Sequence, residues 1–146
     1  MRFRSSVFSK AALAVLAFGL VAVPAGSAEA TVSVSRNCSS TAQMCLHFNS
    51  TAYGLGAEFG SQTNITSFNY NINGGVHYNF KAGRYGSNGA GQTIWNKAAA
   101  GRNLSSYRNF AVFENSNYQG EVETVPYGYI LNFTAVKNND TSMKWI

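Results

Sequence analysis

Apolar and aromatic residues recur in short runs beyond residue 30, and polar turn-forming residues separate the runs. Apolar and polar positions alternate in Leu46–Asn49 and again in Ala111–Glu114. Gly, Asn, Ser and Thr interrupt the pattern every few residues, which is typical of short strands joined by turns. Only residues 93–102, where an alanine run ends at Gly101, have the composition of a short helix. The pattern therefore predicts an all-β fold.

The second half of the chain repeats the first at an offset of 65 residues. Each copy indicates a strand, a polar loop, a second strand and a returning strand. The first copy also carries an Asn- and Gly-rich stretch at about residues 74–91, which we expect to be the longest loop. Five identities align without a gap: Phe48 with Phe113, Tyr53 with Tyr118, Glu58 with Glu123, Ile65 with Ile130 and Phe68 with Phe133.

The first 30 residues have the parts of a secretory signal peptide. Arg2, Arg4 and Lys10 precede an apolar run over residues 11–23, and small residues lead to Ala30. The run is shorter than the roughly 18 residues that a membrane-spanning helix needs. The sequence predicts a signal peptide over residues 1–30 and a secreted mature chain, although cleavage two residues earlier fits the same rule.

Charge gives little support to nucleic-acid binding. The full chain has 11 basic and 6 acidic residues and a net charge of +5. Removal of residues 1–30 leaves 8 basic and 5 acidic residues, a net charge of +3. The basic residues are scattered singly and form no stripe. We predict a monomer with neither a nucleic-acid partner nor a membrane span.

The two cysteines, Cys38 and Cys45, lie near the mature N-terminus. An exported chain meets an oxidising environment in which paired thiols normally close. We predict a disulfide between them, worth about 2 to 3 kcal/mol in the chain-entropy description. A metal or redox pair is the alternative, but the spacing is not that of a zinc site.

Catalytic side chains are scarce. A hydrolase needs a nucleophile, a base and an orienting acid, and the chain has only two histidines. We expect His47, at an alternating strand position, to be packed, and His77, in the Gly-rich stretch, to be solvated. Glu121 and Glu123 share one face of a predicted strand, and Glu58 is the repeat equivalent of Glu123. We expect these glutamates to be exposed strand residues, and we predict no enzymatic activity.

The second copy resembles a βγ-crystallin Greek-key motif. The resemblance rests on Phe113, Tyr118 and Gly120, followed by a second element over Asn138–Ser142. It implies that Tyr118 packs over a folded-back hairpin, that Gly120 supplies a backbone conformation unfavourable to other residues, and that the second element braces the hairpin. The implied fold is a single sandwich over residues 31–146, with repeats at about 38–103 and 107–146.

The same resemblance implies calcium as the one candidate metal, although no cofactor is required. Oxygen atoms suit this hard cation. The first copy keeps Phe48 and Tyr53, but Leu55 replaces the motif glycine and Lys97 follows Asn96 in its second element, so we expect it to bind calcium poorly. The candidate ligands in the second copy are Asn138, Ser142 and the Asp140 backbone, with Glu121 or Glu123.

Over about residues 37–145, nearly the whole mature chain, the sequence resembles secreted bacterial peptidase inhibitor family 36. The match rests on the leader, on the cysteine pair running into Leu46 and Phe48, on residues 91–100, and on the second-copy motif. It implies a peptidase inhibitor-like protein that blocks an extracellular metalloprotease through an exposed loop. No reactive loop residue aligns, and the expected contact surfaces are residues 71–91 and 115–119.

Two other functions stay open. One is a calcium- or glycan-binding cell-surface module without inhibitory activity, and the other is a structural envelope protein. The first would use tyrosines that two small cores cannot bury, because tyrosine-rich loops bind proteins and sugars well. The candidate tyrosines are Tyr70, Tyr78, Tyr85, Tyr107, Tyr127 and Tyr129.

Overall fold

A computed structural model describes residues 31–39 and 43–146. Within these ranges the regular elements are strands and two 3-10 turns, Thr51–Tyr53 and Ser116–Tyr118. The predicted signal peptide lies outside the described residues. The strands are β1 (Val32–Ser35), β2 (Met44–His47), β3 (Glu58–Ser61), β4 (Val76–Asn79), β5 (Ala100–Asn103), β6 (Phe110–Asn115), β7 (Gln119–Val125), β8 (Ile130–Asn132) and β9 (Ser142–Trp145).

The strands form two antiparallel sheets and one parallel pair. The four-stranded sheet has the order β3-β2-β5-β8 and the three-stranded sheet the order β7-β6-β9, while β1 pairs with β4. In each repeat the last strand returns to lie beside the first, β5 beside β2 and β9 beside β6. This return is the Greek-key connection. The prediction of an all-β fold is confirmed.

Each repeat contributes one backbone segment to the sheet of the other. Strand β8 of the second repeat joins β5 of the first, with Ile130 opposite Arg102. In return, Ile65 of the first repeat exchanges two backbone hydrogen bonds with Met143 of β9, at 2.9 and 3.0 Å. Because Ile65 and Ile130 are repeat equivalents, the exchange is reciprocal. The resulting architecture is the predicted βγ-crystallin-like sandwich of two Greek-key repeats; the repeat boundaries stay a prediction.

Alternate residues of the strands point into one core between the sheets. Leu46 and Phe59 enter it from the first sheet, and Phe110 and Val112 from the second. Burial of each such side chain contributes roughly 1.5 to 3 kcal/mol. The opposite face of the first sheet carries the intervening residues, so a second layer has to cover them.

Residues 74–91 supply that layer and are not a simple loop. They contain β4, and Phe80 is buried in the core. Lys81 and Glu58 exchange two backbone hydrogen bonds of 2.8 Å each, which fasten the segment to β3. The expectation of one long loop is therefore wrong for residues 76–79, which form β4, whereas residues 80–91 belong to the 20-residue connection between β4 and β5.

Residues 93–102 do not form a helix. The alanines at its centre are small enough to be buried, and Ala100 begins β5. Ala99 bonds on one side with His47 and on the other with Phe133, at 2.9 Å each. Neighbouring strands thus satisfy backbone groups that a helix would have paired internally.

The disulfide between Cys38 and Cys45 is present, with a Cα–Cα distance of 5.8 Å. It ties the segment that follows β1 to the second residue of β2. The prediction of this pairing is confirmed, and the fixed segment forms one border of the cavity described below.

We expect Cys38→Ala/Cys45→Ala to lower the free energy of unfolding by about 2 to 3 kcal/mol, because the unfolded chain gains the entropy of an open loop. Urea unfolding of the oxidised mature chain and the double variant measures the difference. The control is a reductant, which should destabilise the wild type only. An equal effect of reductant on both proteins would contradict the prediction.

Candidate functional site

The predicted motif residues of the second repeat are assembled around Tyr118. Its ring packs against Phe113, with centroids 5.8 Å apart, and Lys144 Nζ lies 4.9 Å from its centroid. Gly120 has φ +79°, and a Cβ there would press on the side chains of Asn115 and Glu114. A glycine is therefore required where the hairpin folds back.

Ser142 braces this folded hairpin from β9. Its Oγ accepts a hydrogen bond from the Tyr118 N–H at 3.1 Å and donates one to the Asn115 carbonyl at 2.7 Å. Nearby, Asn139 Nδ2 donates to Glu114 Oε1 at 2.8 Å. The second element thus makes the structural contacts that the motif implies.

The first repeat has lost this arrangement. Tyr53, the equivalent of Tyr118, is 78% exposed, and Phe48 packs instead against Phe80 with centroids 5.6 Å apart. Leu55 stands in place of Gly120 and is buried despite a φ of 60°. When the second elements, residues 96–100 and 138–142, are aligned, Ala100 corresponds to Ser142. Without a hydroxyl at that position, no side chain can brace the first hairpin from β5 as Ser142 does.

The second elements of the two repeats bond directly to each other. The Asn96 N–H donates to the Asp140 carbonyl and the Asn138 N–H to the Ala98 carbonyl, both at 2.9 Å. Asn96 and Asn138 have nearly the same φ, 56° and 55°. The two segments are thus related by an approximate twofold axis.

The predicted calcium ligands lie in three different environments. The Asp140 carboxyl is buried and accepts a hydrogen bond from the Ala98 N–H at 2.8 Å, and burial raises its pKa well above the usual value. Ser142 Oγ is used by the hairpin. Asn138 lines a cavity of about 420 Å³ together with Lys97 and Lys137, and no carboxylate is among the described residues that line it. Calcium binding by Asn138, Ser142 and the Asp140 backbone stays a prediction.

The three glutamates considered from the sequence have different surroundings. Glu121 is exposed, as expected. Glu123 is half-buried and accepts hydrogen bonds from the Thr134 and Val136 N–H groups. Glu58 is buried, so the expectation that it is exposed was wrong: the segment 74–91, which the second repeat lacks, covers its strand.

Both histidines make aromatic contacts. His47 is fully buried, as expected, and its ring lies edge-on to Tyr85 with centroids 5.5 Å apart. Burial lowers the pKa of His47 to about 4, and the positive charge of Arg102 makes a smaller contribution in the same direction. His77 is half-buried and stacks on Tyr70 at 4.2 Å, so the expectation of a solvated ring was wrong. Within the described ranges no group of three His, Cys, Asp or Glu residues is placed to hold a metal.

A cavity of about 600 Å³ lies on the outer face of the first sheet. Its charged lining residues are Glu58, Arg84 and Arg102. Glu58 Oε1 accepts a hydrogen bond from the Cys38 N–H at 2.9 Å, whereas its buried Oε2 has no partner among the described residues. Neither arginine was predicted from the sequence to belong to a site. Strand register identifies Arg102 as a residue of this face, because it lies opposite Cys45.

Exposed tyrosines cluster on two loops that Asn103 holds together. Asn103 Nδ2 donates to the Arg108 and Val125 carbonyls at 3.0 and 2.9 Å, and Oδ1 accepts from the Ser105 N–H at 2.9 Å. The Asn103 backbone bonds Gly128 and Tyr129. These loops, residues 104–109 and 126–129, are called the tyrosine loops below. They present Tyr107, Tyr127 and Tyr129, which are 69%, 53% and 67% exposed.

We expect Ser142→Ala to lower the free energy of unfolding by about 1 to 2 kcal/mol, because the Tyr118 N–H and the Asn115 carbonyl lose their partner. Urea unfolding measures the loss. Ser106→Ala, at an exposed position, is the matched control and should change stability by less than about 0.5 kcal/mol. Equal losses in the two variants would show that the brace is not stabilising.

Acid should destabilise the protein through His47. The unfolded chain protonates this ring near pH 6.5 and the folded chain only near pH 4, so the free energy of unfolding falls as the pH drops through this range. The stability advantage of wild type over His47→Gln should shrink by about 3 kcal/mol between pH 7 and pH 4.

Urea unfolding at several pH values measures this advantage. The raised pKa of Asp140 makes the free energy of unfolding change with pH in the opposite direction. The protein loses stability as the pH rises, because the buried neutral carboxyl is disfavoured when it has to ionise. The wild type and His47→Gln share this effect of Asp140, so it cancels in the difference between their free energies of unfolding. A difference that is constant with pH would contradict the assignment to His47.

No protein-family model and no curated protein matches the chain. It is similar to a solved structure from work on the evolution of the eye lens beta-gamma-crystallin domain fold, with 9% sequence identity and a TM-score of 0.46, over 77% of this chain and 92% of that chain. The more specific resemblance to peptidase inhibitor family 36 has no support in these comparisons. No helix of the described residues is long and apolar enough to cross a membrane.

Proposed function

We propose that the chain is a secreted, non-enzymatic binding protein that holds a folded partner protein against its tyrosine loops. The proposal rests on Asn103, whose side-chain and backbone hydrogen bonds fix the two neighbouring loops. The disulfide and the lack of a membrane-spanning helix in the described residues are compatible with export.

Rigid tyrosines are well suited to protein recognition. A tyrosine offers a large amphipathic surface and loses little conformational entropy on binding, because it has only two side-chain torsions. Loops that already have their bound shape avoid much of the ordering cost of association. Arg108 adds a cation beside this surface, with its guanidinium 5.5 Å from the Tyr107 centroid and 4.0 Å from that of Trp145. Tyr, Trp and Arg are the residues enriched in interface hot spots.

The state of the histidines favours binding over catalysis. His47 is buried against Tyr85 with a pKa near 4, so it is neutral at physiological pH and out of reach of a substrate. His77 is stacked on Tyr70. General acid–base catalysis needs a group within hydrogen-bond reach of substrate and a pKa near the working pH.

An extracellular metalloprotease is the first partner class to test, because the sequence resembles an inhibitor family. The segments expected to make contact, residues 71–91 and 115–119, are also held by hydrogen bonds. Asn73 bonds the Ser67 and Val76 carbonyls, and the Asn117 N–H donates to the Thr66 carbonyl at 2.7 Å. A protease inhibitor needs such rigidity in the segment that it inserts.

The mature chain, residues 31–146, should inhibit at least one secreted protease when titrated against a panel of metallo- and serine proteases. Replacement of Tyr107, Tyr127 and Tyr129 together by serine should raise the inhibition constant at least about 30-fold, the value of one hot spot of about 2 kcal/mol. Residual protease activity and the integrity of the added chain are followed together.

Tyr53→Ser is the matched control, because Tyr53 is at least as exposed as the three loop tyrosines but lies on the first hairpin. It should leave inhibition unchanged. If the triple variant inhibits as well as wild type, the tyrosine loops are not the contact surface. If the intact chain inhibits no protease, the partner is not a protease of these classes.

A further inference from the structure

We propose that Asn88 is a site of spontaneous covalent modification, at which the side-chain amide is lost and the residue is converted to aspartate and isoaspartate. Asn88 precedes Gly89 in the connection between β4 and β5. The reaction needs no enzyme and no partner protein, and water is its only co-reactant. The inference therefore does not depend on the tyrosine loops.

An asparagine followed by glycine can close a ring on itself. The glycine backbone nitrogen loses its proton and attacks the asparagine side-chain carbon Cγ. The bond between this nitrogen and Cγ forms, the bond between Cγ and Nδ2 breaks, and Nδ2 takes up a proton and leaves as ammonia. Glycine favours the reaction because it has no Cβ to crowd the closing ring. The product is a five-membered succinimide.

Water then opens the succinimide at either of its two carbonyl carbons. Attack at Cγ breaks the new bond and yields aspartate with the main chain restored. Attack at the main-chain carbonyl carbon breaks the original peptide bond and yields isoaspartate, in which the main chain runs through Cβ and Cγ. Each product carries a carboxylate that is ionised at neutral pH, so the modified chain has one more negative charge.

The chain contains the Asn-Gly dipeptide twice, at residues 73–74 and 88–89, and the structure holds the first asparagine in place. Asn73 Nδ2 donates to the Ser67 and Val76 carbonyls at 3.1 and 2.8 Å, and its Oδ1 accepts from the Val76 N–H at 2.8 Å. The departure of Nδ2 as ammonia breaks two of these bonds. The folded structure therefore opposes the reaction at Asn73.

The second dipeptide has no such protection. Asn88 is exposed, and its side-chain amide has no hydrogen-bond partner among the described residues. The N–H of Gly89, which supplies the attacking nitrogen, has no acceptor there either. Both reacting groups are therefore available, so the two Asn-Gly dipeptides of one chain differ in reactivity because of the fold.

Conversion at Asn88 alters a contact with the hairpin of the first repeat. The Asn88 carbonyl accepts a hydrogen bond from the Ala57 N–H at 2.8 Å. Gly89 lies so close to Phe48 that a Cβ at Gly89 would overlap the phenyl ring. Isoaspartate inserts one more main-chain atom between these two contacts, so they no longer fit together. The isoaspartyl form should therefore hold Ala57 less firmly.

Incubation of the mature chain at mildly alkaline pH, followed by peptide mapping with mass spectrometry, tests the proposal. We expect Asn88 to be converted at least about tenfold faster than Asn73, because the amide of Asn73 has to be released from its hydrogen bonds first. The same chain, reduced and unfolded in urea, is the control. Without the fold, the difference in rate between the two sites should largely disappear.

Asn88→Gln separates this site from all others, because the longer glutamine side chain closes such a ring far more slowly. Ion-exchange chromatography should show an acidic form that accumulates in wild type and is nearly absent from the variant. Amide hydrogen exchange at Ala57 should be faster in the isoaspartyl form than in the unmodified chain. Equal conversion of Asn73 and Asn88 in the folded chain, or no conversion of Asn88, would overturn the proposal. Unchanged exchange at Ala57 would overturn the effect on the hairpin.

Discussion

Reciprocal hydrogen bonding between the repeats is the constraint on which the rest of the structure depends. The segment around Ile65 completes the sheet of the second repeat, and β8 completes the sheet of the first. Each repeat therefore supplies backbone partners that the other lacks, and the apolar faces of both sheets close one core. The bonds from Asn96 to Asp140 and from Asn138 to Ala98 add a second reciprocal link.

Within this symmetric frame the repeats have diverged in what their outer surfaces do. The second repeat keeps the brace from Ser142, which holds Tyr118 on its hairpin. The first has alanine at the corresponding position, exposes Tyr53 and adds the segment 74–91. That segment covers β3, so Glu58 becomes part of a charged cavity, whereas its repeat equivalent Glu123 bonds a neighbouring loop.

Two neighbouring residues of β5, Arg102 and Asn103, contribute to two different surfaces of the molecule. Asn103, the last residue of β5, uses its amide to hold the tyrosine loops. Arg102, its neighbour in the same strand, points to the opposite face and lines the cavity on the outer face of the first sheet. One short strand therefore supports two surfaces, because successive side chains of a strand alternate between its faces.

The all-β class, the 65-residue repeat and the disulfide between Cys38 and Cys45 could be predicted from the amino-acid sequence. These properties are local or periodic: strand and turn composition, identities at one offset, and a single cysteine pair. The burial of Glu58, the stacking of His77 and the presence of Arg84 and Arg102 at one cavity follow from the tertiary structure and could not be predicted. They depend on which strands become neighbours and on what covers their outer face, and distances across a sheet are not encoded in spacing along the chain.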